Sequence, residues 1–225
     1  MFRCLVLAVA TAAAFTAMPV QARSVDTTKT LNQLFADEWE RGLVESPENA
    51  SYEGDTRFND RWSDRSVAAI ERQQAGDKTA LARLHSIDRA TLALADQLNY
   101  DTFEWNLQHA IERQKFKEYL QPVSHQGGVQ TIDGITEVMP FASSKDYRDW
   151  LKRMEAVPTV VEQAIALMRE GVKAGNVPPK ILMQRVPGQI AAQIVEQWIY
   201  FDERNVESGV VVAMLQFVDG ARLIA

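Results

Sequence analysis

The chain has 225 residues, 46% of them hydrophobic and 24% charged, a balance that belongs to globular proteins and excludes disordered, collagen-like and low-complexity classes. A formal charge of −6 gives an acidic surface that repels phosphate backbones, so nucleic acid is not an expected partner. The apolar content suffices for a sizeable core in one large or two small domains.

Residues 1–22 read as a secretory signal peptide. They carry Arg3, an apolar stretch over residues 4–15, the helix-breaking Pro19 and the small-residue end Val20-Gln21-Ala22, which predicts cleavage before Arg23. The apolar stretch falls short of the roughly 20 residues of a permanent membrane span. A retained amphipathic anchor is the alternative. Cys4 would leave with the signal, so the mature chain would have neither a disulfide nor a thiolate nucleophile. These features predict a periplasmic or extracellular protein with no membrane association after cleavage.

The rest reads as helices joined by breaks. Leu31, Leu34, Phe35, Trp39 and Leu43 recur at three- and four-residue steps and form one apolar stripe that stops at Ser46-Pro47. From residue 47 to 64 the periodicity disappears, which predicts a long irregular connection tacked to the core by Tyr52, Phe58 and Trp62. Ser63 or Asp64 is placed to cap a short helix through Ile70. Asp77 is placed to cap a longer one carrying Leu81, Leu84, Ile87, Thr91, Leu94 and Leu98, and a further helix is expected from about Tyr100 with Phe103, Leu107, Ala110 and Ile111 on one face.

Residues 121–143 hold three glycines and two prolines, too many for a continuous helix, and form a second long break. A helix starting at Ser144 carries Tyr147, Trp150, Leu151 and Met154 and ends at Pro158. The next carries Val161, Ala164, Ile165, Met168 and Val172, with Gly171 and Gly175 near its end, where a left-handed residue is cheapest as glycine. Pro178 and Pro179 open another turn, and Ile190, Ala191, Ile194, Val195 and Trp198 make the last stripe. The fold class is therefore mostly α, an irregular multi-helix array with long loops.

Reactive constellations are scarce. The three histidines form no His-Glu-x-x-His zinc pair. His85 with Asp88 and His109 with Glu112 are i, i+3 pairs that read as solvated ion pairs, whereas His125, in a loop beside Gly127-Gly128, is the better placed for a functional role. Asp55, Asp60 and Asp64 lack the register of a calcium loop and read as turn residues. Gly127-Gly128 lacks the Lys-Ser/Thr of a phosphate loop, no Gly-x-Ser-x-Gly elbow occurs, and Asp133 with Glu137 is too common a pairing to carry catalytic weight. Trp39, Trp62, Trp105, Trp150 and Trp198 fall on or near helical stripes and are read as core anchors. No catalytic, cofactor-binding or metal-ligating residue is assigned.

Several stretches, in order and spacing across residues 31–194, resemble the N-terminal part of the bacterial family "domain of unknown function 885". They are residues 35–47; Arg61-Trp62-Ser63-Asp64; residues 81–88; Asn99-Tyr100-Asp101; Gly127-Gly128-Val129-Gln130; Met139-Pro140-Phe141; residues 146–158; and residues 168–180. The resemblance implies an exported, helical, zinc-metallopeptidase-like protein acting on peptides, with a His-Glu-x-x-Pro-Gly-His-His helix supplying zinc ligands and the general base. The family places that helix beyond Ala225, so no catalytic residue carries over. After about Trp198 the resemblance fades into a strand-like apolar run at residues 210–218, which suggests a truncated or frame-disrupted product, or alternatively a native terminal strand.

The organisation expected is thus a signal peptide (1–22), a helical region of the family (23–198) and a divergent apolar tail (199–225). The function expected is one wall or lid of a peptide groove, inactive alone, as an incomplete part of a larger fold with zinc held elsewhere. The rival reading is a self-contained helical binding module, and a third is a small enzyme with an unrecognised carboxylate site.

Overall fold

The computed structural model describes residues 20–193, with side chains over residues 26–192. Residues 1–19 of the expected signal peptide, with Cys4, and Ile194, Val195, Trp198 and the tail of residues 199–225 lie outside the described residues, whereas Val20-Gln21-Ala22 form the start of the first helix. Helices α1 (Val20–Glu45), α2 (Pro47–Tyr52), α3 (Val67–His85), α4 (Leu94–Arg113), α5 (Ser144–Glu155), α6 (Val157–Ala174), α7 (Lys180–Met183) and α8 (Val186–Gln193) are joined by 3-10 turns. Among the described residues there is no β-strand, only an isolated bridge between Ser124 and Gly127. The mostly α reading holds.

Helices α1, α3 and α4 enclose one apolar cluster, in which Leu31, Leu34, Ala80 and Leu84 are at most 1% exposed. Polar contacts fasten its rim. Arg41 on α1 reaches Glu38 and Glu45 on its own helix and Asp77 on α3, and Gly76 makes room for it, since a Cβ there would lie 2.8 Å from Arg41 Nη1. A second cluster joins α6 to α7, α8 and the 3-10 segment Val129–Val138 through Val157, Val161, Ala164, Met183 and Val186. A third, of Ile135, Met139 and Trp150, shares Trp62 and Met154 with the second.

Several boundaries differ from those expected. The segment after Ser46 is not wholly irregular: Pro47 opens α2, where its missing N–H is no loss, and Asp55 caps the 3-10 turn Thr56–Phe58. Asp77 caps nothing. It lies inside α3, where its carboxylate accepts from Arg41 Nη2 (3.0 Å) and Gln114 Nε2 (3.2 Å). The cap is Ser66, whose Oγ accepts from Ala69 N, so the two expected helices merge into α3. That helix ends where Ser86 and Asp88 turn the chain, and α4 starts at Leu94 instead of near Tyr100. Leu94 and Leu98 are consequently exposed.

Ser143 and Asp146 form a reciprocal capping box that starts α5. Gly175 takes the left-handed conformation after α6, with Asn176 N bonding Gly171 O (2.8 Å) and Gly175 N bonding Val172 O (3.2 Å). Gly171 itself is required for close approach, because a Cβ there would lie 2.7 Å from Asn176 O and 2.8 Å from Leu120 O. Replacing Gly171 by Ala should therefore cost about 1–3 kcal/mol in denaturant unfolding. Gly42→Ala on α1, where a Cβ meets nothing within 4 Å, should instead gain up to about 1 kcal/mol.

Candidate functional site

The two irregular segments, residues 47–65 and 122–135, meet across a cleft of about 210 Å³. Glu48 and Tyr52 come from α2, Trp62 and Arg65 from the connection to α3, and Val129, Ile132 and Ile135 from the 3-10 segment, with Val160 of α6 beneath. Tyr52 is 58% exposed, while the aliphatic side chains at the floor are buried.

One side chain holds the first segment in place. Arg153 on α5 is fully buried. Its Nε donates to Arg61 O (2.9 Å), Nη2 to Phe58 O (3.0 Å) and Pro47 O (3.3 Å), and Nη1 to Ser51 Oγ (3.1 Å) and Met139 Sδ (3.6 Å). All five N–H donors of the guanidinium have acceptors. Ser51 in turn lies 2.7 Å from the buried Asn59 Oδ1. The indole of Trp62 packs 5.2 Å from the guanidinium carbon and donates its N–H back to Arg153 O at 2.6 Å. Burial pushes the Arg153 pKa below the ordinary arginine value, and the negative charges of Glu48, Asp60 and Asp149 act against that shift.

The neighbouring acids are engaged. Glu48 accepts from Ser63 N (3.2 Å) and Ser63 Oγ (2.5 Å). Asp64 accepts from Ser66 N (2.9 Å) and Gln163 Nε2 (2.9 Å), and the Ser66 backbone bond is the main cause that holds its carboxyl below the usual aspartate range. On the opposite wall Gly128 has φ 144°, and a Cβ would lie 2.7 Å from Gln130 Oε1 and 3.1 Å from Val123 Cα. Tyr52 also borders a neighbouring cleft of about 350 Å³ with Trp39, which in turn borders a groove with Phe35 and Phe103.

Over residues 47–207 the sequence matches the family described as "Bacterial protein of unknown function (DUF885)". The chain belongs to this DUF885 family. No curated protein matches it.

Within this DUF885 member the histidines are dispersed. His85 Nε2 pairs with Glu104 (2.6 Å) rather than with Asp88, and His109 Nδ1 lies 2.7 Å from Trp105 O rather than beside Glu112. His125 sits at the Ser124–Gly127 turn, where its carbonyl accepts from Gln189 Nε2 (2.9 Å). Among the described residues no three His, Cys, Asp or Glu side chains converge closely enough to hold a metal. Asp55 and Asp60 pair with Arg57 and Arg61, as turn residues do. Trp150 and Trp62 are anchors, but Trp39 and Trp105 are more than half exposed, contrary to the expectation for helical tryptophans. Glu48, Arg65 and Arg153 belong to no motif in the sequence. The signal available for Arg153 was its place three residues after Trp150 and beside Met154, a charge inside an apolar stripe.

Arg153→Met should cost about 3–5 kcal/mol and disturb the near-ultraviolet signal of Trp62, because it removes a charge-assisted bond from each of three backbone carbonyls, and leaves Pro47 O and Phe58 O with their bonds to Ser51 Oγ and Arg61 N. Arg61→Met, on an exposed ion pair, should cost less than about 1 kcal/mol in the same assay. For Asp64 the folded pKa lies below the unfolded one, so its stabilisation is complete above 3.8 and is lost as pH falls through the folded value. The unfolding midpoint should be flat from about pH 7 to 5 and drop below about pH 4, with a shallower drop in Asp64→Asn.

Proposed function

We propose that this chain forms the substrate-facing helical wall of an exported, zinc-peptidase-like protein and that its cleft receives a peptide side chain. The observation that carries the reading is the convergence of both irregular segments on one cleft with an apolar floor and aromatic sides. Loops set on a rigid scaffold are where ligand contacts concentrate, and apolar clefts with a few polar groups suit peptide side chains. At about 210 Å³ the cleft falls below the roughly 300–1,000 Å³ of typical small-molecule sites, a size suited to one residue of an extended peptide.

The described donors do not fit a zinc site, so no hydrolytic step is assigned to them, and their part in this reading is binding and orientation. Tyr52 offers a ring face that no core contact requires, Trp62 is held rigid by Arg153, and the buried aliphatic floor excludes water from a seated side chain. Periplasmic or extracellular residence belongs to the same proposal and rests on residues 1–22. No helix among the described residues is long and apolar enough to cross a membrane.

A fluorescently labelled unstructured peptide rich in Phe and Leu should bind the purified chain. Tyr52→Ala should weaken that binding by about fivefold or more without moving the unfolding midpoint, since one stacked aromatic contact contributes roughly 0.5–1.5 kcal/mol beyond its burial. Unchanged affinity in the variant, or no binding by the native chain, would contradict the groove reading.

A further inference from the structure

Arg65 stands apart from the other arginines. Among the described residues, those withdrawn from solvent are Arg41, Arg153 and Arg65. Arg41 is satisfied by Glu38, Glu45 and Asp77, and Arg153 by its ring of carbonyls. Arg65 is half-buried, lines the cleft, and makes no hydrogen bond or ion pair through its guanidinium with any described residue. Its backbone is fixed, with N–H donating to Gln163 Oε1 at 2.9 Å, and the Ser66 cap that starts α3 follows immediately. The two nearest acids in sequence and cleft are committed elsewhere, Glu48 to Ser63 and Asp64 to Ser66, Gln163 and Arg72.

We propose that Arg65 is the anchor for the C-terminal carboxylate of a bound peptide whose last side chain is apolar or aromatic and lies between Tyr52 and Trp62. A guanidinium presents a planar fork that a carboxylate meets with two parallel hydrogen bonds. The charge of the cleft selects a monoanion. Glu48 and Arg65 lie in the same lining and offset each other, so a phosphate dianion would leave two uncompensated negative charges in the cleft, whereas a peptide carboxylate would leave only one. The polar end of the ligand thus faces Arg65 and its side chain faces the floor formed by Val129, Ile132 and Val160. Thr131 Oγ1 donates to Gly128 O at 3.0 Å, which leaves its lone pairs to accept a peptide N–H. This assignment rests on the peptide-groove reading and specifies which end of the peptide enters.

The test uses the full 225-residue chain and a labelled Ala-Ala-Ala-Phe tetrapeptide in two forms, with a free C-terminal carboxylate and as the C-terminal amide. The acid should bind about tenfold or more tightly than the amide, as a charge-assisted bidentate contact predicts. Arg65→Met should abolish that preference, Arg65→Lys should retain part of it, and neither should shift the unfolding midpoint. Equal binding of acid and amide by the native chain, with Tyr52→Ala still weakening both, would overturn the anchor and leave the groove standing. Failure of both peptides to bind would overturn the groove and the anchor together. An unchanged acid-to-amide ratio in Arg65→Met, or stronger competition by inorganic phosphate than by acetate, would also overturn the anchor.

Discussion

A guanidinium carried into a protein interior must find acceptors for five N–H groups, because each orphaned donor there costs about 1–3 kcal/mol. At Arg153 that requirement is met mostly by backbone: the carbonyls of Pro47, Phe58 and Arg61 point at one charge from three places along fifteen residues of chain. Much of the course of residues 47–62 follows. The start of α2, the 3-10 turn after Asp55 and the seating of Trp62 are all consistent with carbonyls turned toward α5. No carboxylate among the described residues bonds the guanidinium directly, and the acids that balance it act from a distance. Such an arrangement fixes geometry more than it adds stability, since a buried charge is costly to desolvate and costly to abandon.

The helices were legible in the sequence wherever an apolar stripe and a cap agreed. The stripe from Leu31 to Leu43 lies on α1, the helix expected from Ser144 starts there as α5, and Gly175 ends α6, each by a local rule that tertiary contacts did not override. Asp77 shows why other boundaries were not. An aspartate between two polar runs has the credentials of a cap, but its carboxylate is claimed by Arg41 from another helix and by Gln114, and the helix passes through it. The connection after Ser46 looks irregular in sequence because its helical turns are too short to show periodicity. Trp39 and Trp105 lie on helices yet outside the core, because spacing defines a face without saying what covers it.

The cleft was legible only in outline. The two long breaks in the helical pattern are visible in the sequence, and they do converge, but their meeting depends on Arg153 and Trp62, which bond across some ninety residues. Nothing local marks such a pair except a charge where the stripe calls for an apolar residue. Membership in DUF885 is consistent with the resemblance that the sequence carried. The division of labour proposed here assigns peptide positioning to this helical wall and leaves the chemistry of hydrolysis to groups outside it.

The Arg153 guanidinium is sealed from water and bonded to the segment that forms the cleft wall. Side-chain NMR of the arginine Nε–H groups measures this directly through exchange with solvent. The Arg153 Nε–H should be the most strongly protected of the arginine resonances, with cross-relaxation to the Trp62 indole, while that of Arg65 exchanges rapidly. An Arg153 Nε–H that exchanges as fast as those of the exposed arginines would contradict that sealing.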